Sequence, residues 1–327
     1  MIEKIQRKFA LSKQGATDLI GACICCAVSN IALMMPVGII YFLIKDIMGG
    51  TLGSNIGFYA AATAVCIFLI GITTYFQYNK TFLATYVETG VRRVTLAEKL
   101  RRIPLSFFGK KDLADMTSTL MADCASLETA FSHFIPELIG AVISTVIVAI
   151  GLFVFDWRMA LAAVWVIPIS FLITLLSVKT QDYMGKKGMA AKMACADGIQ
   201  ECLETVRDLK ANNAEEKYLD GLDVKIKAVE KRAVRTEFAT AAFVVSAQLI
   251  LKLGIATTAL FGAIYLADGS IDIITMFMFL IAASRLYDPL SASLQNLAAV
   301  IRTRVNVNRM NEILYHDVQE GEKRLSN

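Results

Sequence analysis

Apolar residues gather in six blocks along this chain, roughly at 18–44, 58–78, 135–155, 159–178, 238–266 and 271–287. Each is near the length an α-helix needs to cross a hydrocarbon core about 30 Å thick, at about 1.5 Å of rise per residue. The pattern predicts an all-α membrane protein with six transmembrane helices. The first block is far longer than the apolar region of a secretory signal and has no clear cleavage site after it, so it reads as a retained span.

The connections between blocks alternate in character. Residues 45–57, 156–158 and 267–270 are short, whereas 79–134 and 179–237 each exceed fifty residues and are charged. Within the first long connection Val87, Val91, Val94, Leu96, Leu100 and Ile103 recur at steps of about three and four, with Glu88, Arg92, Arg93, Glu98, Lys99 and Arg102 between them. That spacing predicts an amphipathic helix continuing the second span into water. Pro104 disfavours further helix, and Phe107-Phe108-Gly109 reads as a turn with exposed aromatics. A second helix resumes after Asp112, carrying Met116, Leu120, Cys124 and Leu127 into the third span. The plan recurs over 189–209, a break at Ala211-Asn212-Asn213, and a return over 216–238. Two long helical hairpins, each tipped by a short polar turn, are expected.

Charge then orients the chain. The segment before the first block holds four of the 33 Lys and Arg, the long connections eight and twelve, and the stretch from Arg302 five. The short connections hold only Lys45 and Arg158. The positive-inside rule therefore expects both termini and both hairpins in the cytosol, with the chain in the cytoplasmic (inner) membrane. The net charge of +4 gives no reason to expect nucleic acid as a partner. Of the seven cysteines, Cys23, Cys25, Cys26 and Cys66 lie in apolar runs. On a helix the first three point in different directions with no histidine nearby, so they read as small apolar residues and no metal is expected.

Four stretches, in order, carry a family resemblance. They are Leu100-Arg-Arg-Ile-Pro-Leu-Ser-Phe-Phe108 with Met116-Thr-Ser-Thr-Leu-Met-Ala-Asp123; Asp156-Trp-Arg-Met-Ala-Leu161; Glu201-Cys-Leu-Glu-Thr-Val-Arg-Asp-Leu-Lys-Ala-Asn-Asn-Ala-Glu-Glu216; and Tyr287-Asp-Pro-Leu290 with Asn308-Arg-Met-Asn-Glu-Ile-Leu314. Together they resemble the transmembrane domain of ATP-binding cassette exporters of the six-helix, domain-swapped type. Where that family often has Gly shortly before the Ser, this chain has Asp115-Met116-Thr117.

The resemblance implies a permease moving a small molecule, lipid or peptide by alternating access. It would work as a homodimer or with a similar half-transporter, its hairpins seated on cytosolic ATPase domains. The coupling turns would be Phe108, Gly109, Lys110, Lys111, Asp112 and Asp115 in the first hairpin. In the second they would be Ala211, Asn212, Asn213, Glu215, Glu216 and Lys217. Residues 1–16 would form an elbow helix on the inner leaflet (a disordered tail being the alternative), 17–316 the transmembrane domain, and 317–327 the start of a linker. No G-x-x-x-x-G-K-[ST] phosphate loop occurs, so this chain alone is expected not to hydrolyse ATP. ATP and Mg are expected in a nucleotide-binding domain, whether on the same chain or another.

Charge inside a span is costly and usually faces a cavity or a partner. Lys252 and Arg285 therefore suggest a cavity favouring an anionic substrate, with Asp288, Asn30 and Gln248 as further lining. Alternatively Arg285 pairs with Asp288 at i, i+3 and Lys252 pairs across the bundle. Pro289 is expected to disrupt the sixth helix, and His133 to be structural. Lys13-Gln-Gly-Ala-Thr-Asp-Leu19 and Met34-Met-Pro-Val-Gly38 faintly resemble exporter-fold importers of siderophores, which leaves direction open. A secondary carrier or channel is the different-class alternative, though no inverted repeat is evident. Two distant histidines supply no enzyme site.

Overall fold

The computed structural model describes residues 2–50, 52–109 and 113–319. The helices are α1 (Ile2–Phe9), α2 (Lys13–Ala32), α3 (Met35–Met48), α4 (Leu52–Tyr78), α5 (Ala84–Arg102), α6 (Leu105–Phe108), α7 (Leu113–Ser118), α8 (Cys124–Thr129), α9 (Ile135–Phe155), α10 (Trp157–Val164), α11 (Val166–Ala211), α12 (Glu215–Ala267) and α13 (Ile273–Leu314). Among the described residues, six helical stretches are long and apolar enough to cross a membrane: Lys13–Met48, Asn55–Arg102, Met116–Phe155, Trp157–Ala211, Glu215–Ala267 and Ile273–Leu297. Two compact units result, one of residues 1–165 with 252–327 and one of Val166–Leu251.

The first unit begins with a chain reversal. Ala10 adopts a left-handed φ of 50°, and Ser12 caps α2 by accepting from the Gly15 N–H at 3.0 Å. Ser12 is in turn held by Glu88 of α5, whose carboxylate accepts from the Ser12 N–H at 2.7 Å and from its hydroxyl at 2.6 Å. One turn on, Arg92 Nε donates to the Ala10 carbonyl at 3.1 Å, and its guanidinium lies over the Phe131 ring. A Cβ at Gly15 would collide with the Glu88 carboxyl, so only glycine admits this approach.

This junction revises the face expected of α5. Val87 and Val94 are both 70% exposed, while Thr85, Glu88, Thr89, Arg92, Leu96 and Ile103 form the buried side. Glu88 and Arg92 were expected among the solvated positions. They are buried because the chain reversal at Ala10–Ser12 supplies their partners, which a hydrophobicity pattern cannot register. The spacing had also merged two faces of the helix.

Between α4 and α5 the helix does not break but passes through a π-helical turn at Asn79–Leu83. A second such turn, Thr119–Asp123, separates α7 from α8, and a third, Ala130–Phe134, separates α8 from α9. Phe82 of the first turn and His133 of the third meet edge to face at 5.0 Å. The expected helical return from Met116 into the third span is therefore present, widened at two points. Met116, Cys124 and Leu127 are all buried in it.

Phe107 is another correction. It is buried in the short helix α6 and packs against His316 at 4.8 Å, while Leu105 is the exposed residue at 81%. Pro104 does end α5, and Ile103 is extended there (ψ 144°). The first span is also not one helix. Pro36 has no N–H to offer the Ala32 carbonyl, and the chain tightens at Leu33–Met34, with the Met34 N–H bonding to Ile31 O at 2.9 Å. Pro289, by contrast, lies inside an uninterrupted α13, so the expected disruption of the sixth helix does not occur. Long membrane helices tolerate proline where neighbours compensate the freed carbonyl. The Tyr287 hydroxyl, donating to Ala163 O of α10, anchors α13 just before it.

Asp156 turns α9 into α10, its side chain accepting from the N–H groups of Arg158 and Met159 at 2.9 and 3.0 Å. In the second unit α11 ends at Ala211, Asn213 takes a left-handed φ of 47°, and α12 starts at Glu215. Tyr218 closes that hairpin by donating to Gly198 O at 3.0 Å.

Two predictions test this packing. Glu88→Ala strands the half-buried Ser12 N–H and should destabilise the protein by about 1–3 kcal/mol, read as an earlier thermal transition in detergent. A Cβ at Gly140 would lie 2.5 Å from Cys26 Cβ and 3.0 Å from the Ala27 nitrogen. Gly140→Ala should therefore lower the melting temperature, and Cys26→Gly in the same chain should restore part of the loss; no rescue would show that the α2–α9 approach is not the cause.

Candidate functional site

Where α2 gives way to α3, the first span, α9 and α13 leave a pocket of about 290 Å³. Asn30, Leu33 and Met34 line it from the first span, Glu137 from α9, and Arg285 and Asp288 from α13. Leu33 and Met34, the two residues between α2 and α3, both line it. Arg285 and Asp288 are one turn apart, with Arg285 Nη1 to Asp288 Oδ2 at 3.9 Å and both side chains about two-thirds exposed (64% and 69%). The ion pair is thus loose and faces the open side of the pocket, where either partner is free to take another ligand.

Of the expected cavity residues, the fold brings together Asn30, Arg285 and Asp288. Lys252 is exposed and Gln248 half-buried, and neither lines this pocket. The pocket's charged side chains are one guanidinium and two carboxylates, so it is not the cationic cavity that Lys252 and Arg285 together suggested. Glu137 was missed. Its signal was present in the sequence: an acidic residue directly after Pro136, at the opening of the most apolar of the six stretches.

The expected coupling turns fall in different units. In the first, Phe108 is half-buried and Gly109 exposed at the end of α6, and Lys110, Lys111 and Asp112 lie outside the described residues. Asp115 belongs to α7. Beside this turn Glu98 holds both Arg101 and Arg102, each with a 2.7 Å contact, and Arg102 O accepts from the Gln319 N–H at 2.8 Å. In the second, Ala211, Asn212 and Asn213 are exposed, and the Asn212 side chain donates to Asp208 O at 2.8 Å. The Ala214 N–H returns to Leu209 O at 2.9 Å. Glu215, Glu216 and Lys217 form the first turn of α12. Acidic residues there suit the positive end of the helix dipole.

The segment expected to form an elbow holds the helix α1, with Ile2, Ile5 and Phe9 packed against the buried cluster around Leu96, Phe131 and Met310. The Arg7 carbonyl of α1 accepts from Asn311 Nδ2 of α13 at 2.7 Å. Arg309 of α13 pairs with Asp123 at 3.0 Å, so the end of the sixth helix is tied to the return arm of the first hairpin. No group of three or more His, Cys, Asp or Glu among the described residues could hold a metal ion. Cys23, Cys26, Cys66 and Cys124 are free and buried.

Residues 19–290 match the family described as the ABC transporter transmembrane region. Mycobactin import ATP-binding/permease protein IrtA of Mycolicibacterium thermoresistibile is 35% identical over 102 residues, covering 31% of this chain and 11% of IrtA. IrtA of Mycolicibacterium smegmatis is 35% identical over 88 residues, 27% of this chain and 10% of that protein. The putative ABC transporter ATP-binding protein exp8 of Streptococcus pneumoniae serotype 4 is 26% identical over 237 residues, 71% of this chain and 40% of exp8. The chain thus spans about a tenth of the length of the IrtA proteins and two fifths of exp8. With a match over most of its length and six membrane-crossing helical stretches in the expected order, this chain belongs to the ABC transporter transmembrane family.

Proposed function

We propose that the chain is the permease part of an ATP-driven transporter, paired with a second copy or a similar half-transporter. It works by alternating access in the cytoplasmic membrane, with both termini and both hairpins in the cytosol. ATP and Mg are held by nucleotide-binding domains, which dock on the turns at 108–115 and 211–217. The observation that carries this reading is length. α11 has 46 residues and α12 has 53. At about 1.5 Å per residue they reach roughly 69 and 80 Å, more than twice a hydrocarbon core of about 30 Å. The surplus is continuous helix ending in a polar turn, which suits a lever moved from the cytosol better than a binding loop. Closure of ATPase domains on such levers would re-pose the spans, a two-state element biased from two ends.

The pocket at Asn30, Glu137, Arg285 and Asp288 is where a substrate meets the spans. Its loose Arg285–Asp288 pair can exchange partners with a zwitterionic or multiply polar ligand. A second reading, uptake of a siderophore-like anionic substrate, is favoured by the resemblance at Lys13–Leu19 and Met34–Gly38 and by the IrtA proteins' description as mycobactin importers. Vesicles of defined orientation would separate the two, because ATP added on the hairpin side drives substrate toward the lumen for export and out of it for import.

Two outcomes are expected with the full-length protein in proteoliposomes. Inserting Gly-Gly after Asn213 softens the second lever and should cut ATP-driven transport at least tenfold while ATP hydrolysis continues; undiminished transport would remove the lever from the account. Arg285→Ala should weaken substrate binding about tenfold, the worth of one hydrogen bond to a charged group, in an equilibrium binding measurement.

A further inference from the structure

Arg7, Lys8 and Phe9 of α1 and Val300, Arg304 and Asn308 of α13 line a groove of about 620 Å³. It plays no part in the pocket or in the coupling turns. Its floor is apolar, formed by half-buried Phe9 and Val300 and buried Val307. Its rim carries the exposed cations Arg7, Lys8 and Arg304, and no carboxylate lines it among the described residues. Arg7 lies over the Tyr315 ring and Lys8 over the Phe9 ring, at 5.4 and 5.7 Å. Those ring contacts place the cations while leaving their N–H groups able to meet an anion.

Depth identifies the occupant. α13 starts at Ile273, and Val300 lies 27 residues along it. That is about 41 Å at roughly 1.5 Å per residue, which matches a bilayer of about 40–45 Å with its headgroups included. After Asp288 the sequence has no charged residue until Arg302. The groove therefore opens at headgroup level, cationic at the rim and apolar beneath.

We propose that this groove is a binding site for an anionic phospholipid of the surrounding leaflet. The phosphate is held by Arg7, Lys8 and Arg304, and the first chain methylenes lie on Phe9, Val300 and Val307. Because the chain reversal that follows α1 is tied to α5 through Ser12–Glu88, and α1 itself to α13 through Asn311, the lipid braces the entry of the first span against the exit of the sixth. The proposal rests on the membrane-spanning reading and not on coupling to ATPase domains.

The test is native mass spectrometry of the full-length protein in detergent, titrated with phosphatidylglycerol or with phosphatidylcholine of the same acyl chains. Retention of about one phosphatidylglycerol per chain, with phosphatidylcholine far weaker, is expected. Arg7→Gln with Arg304→Gln should weaken phosphatidylglycerol binding about thirtyfold, and Arg304→Gln alone about fivefold, at about 1 kcal/mol per cation. The control Lys227→Gln with Arg235→Gln, on the second hairpin, should leave it unchanged. Equal retention of the two lipids, undiminished binding by the single variant, or displacement of the lipid by inorganic phosphate at comparable concentration would overturn the proposal. Loss of phosphatidylglycerol binding in both pairs of variants alike would overturn it as well, since it would show adsorption to charge in general.

Discussion

Inside hydrocarbon no backbone N–H or C=O can turn to water, and this constraint governs every part of the structure. It explains why the spans are helical throughout and why their irregularities are so conservative. The helices of the second and third spans do not break where the apolar blocks meet the first long connection; each widens there by a π-helical turn. At Pro36 the chain tightens to a shorter-range bond instead of opening, and Pro289 sits in a helix held by its neighbours. A pocket appears where such an adjustment was forced, at the α2–α3 kink, because that is where the wall of side chains is interrupted.

The same economy operates with charge. Glu88 and Arg92 are buried, and they are tolerable because they accept and donate at the chain reversal of Ala10–Ser12, whose own backbone groups needed partners. Breaking a buried polar arrangement by removing one member costs more than the arrangement contributes, so this junction fixes where the first span begins. Arg309 with Asp123, and Asn311 with the Arg7 carbonyl, extend the tie to the end of the sixth helix. The elbow, the first hairpin and the last helix thus share one buried cluster, and in the proposed function movement at the hairpin would be felt at the pocket through α9, which carries Glu137.

Much of this architecture was legible in the sequence. Six apolar blocks, two long amphipathic connections and the stops at Pro104 and Asn212-Asn213 all have counterparts in the helices. What failed did so for identifiable reasons. The face of α5 was misassigned because its buried members include Glu88 and Arg92, and hydrophobic periodicity has no means of registering charged side chains that meet backbone partners far away in sequence. Phe107 looked exposed because its neighbour His316 lies some two hundred residues away in sequence. Asn30, Arg285 and Asp288 stand out in the sequence as polar residues in apolar blocks, and the fold brings them to one pocket together with Glu137. Lys252 and Gln248 stand out in the same way but line no part of that pocket, because a linear sequence does not say which side of a helix faces which neighbour.

The central claim is that the pocket at the α2–α3 kink changes sides under control of ATP. It is tested most directly by the reactivity of a single thiol there. Ala292→Cys lines the pocket and can be placed in a chain whose half-buried cysteines Cys25, Cys195 and Cys202 are replaced. A charged, membrane-impermeant thiol reagent would be offered from the hairpin side to the full-length protein. The account predicts rapid modification without nucleotide and at least tenfold slower modification when ATP is bound and hydrolysis is blocked. Equal rates in the two states would contradict it, since a pocket that keeps one exposure cannot carry a substrate by alternating access.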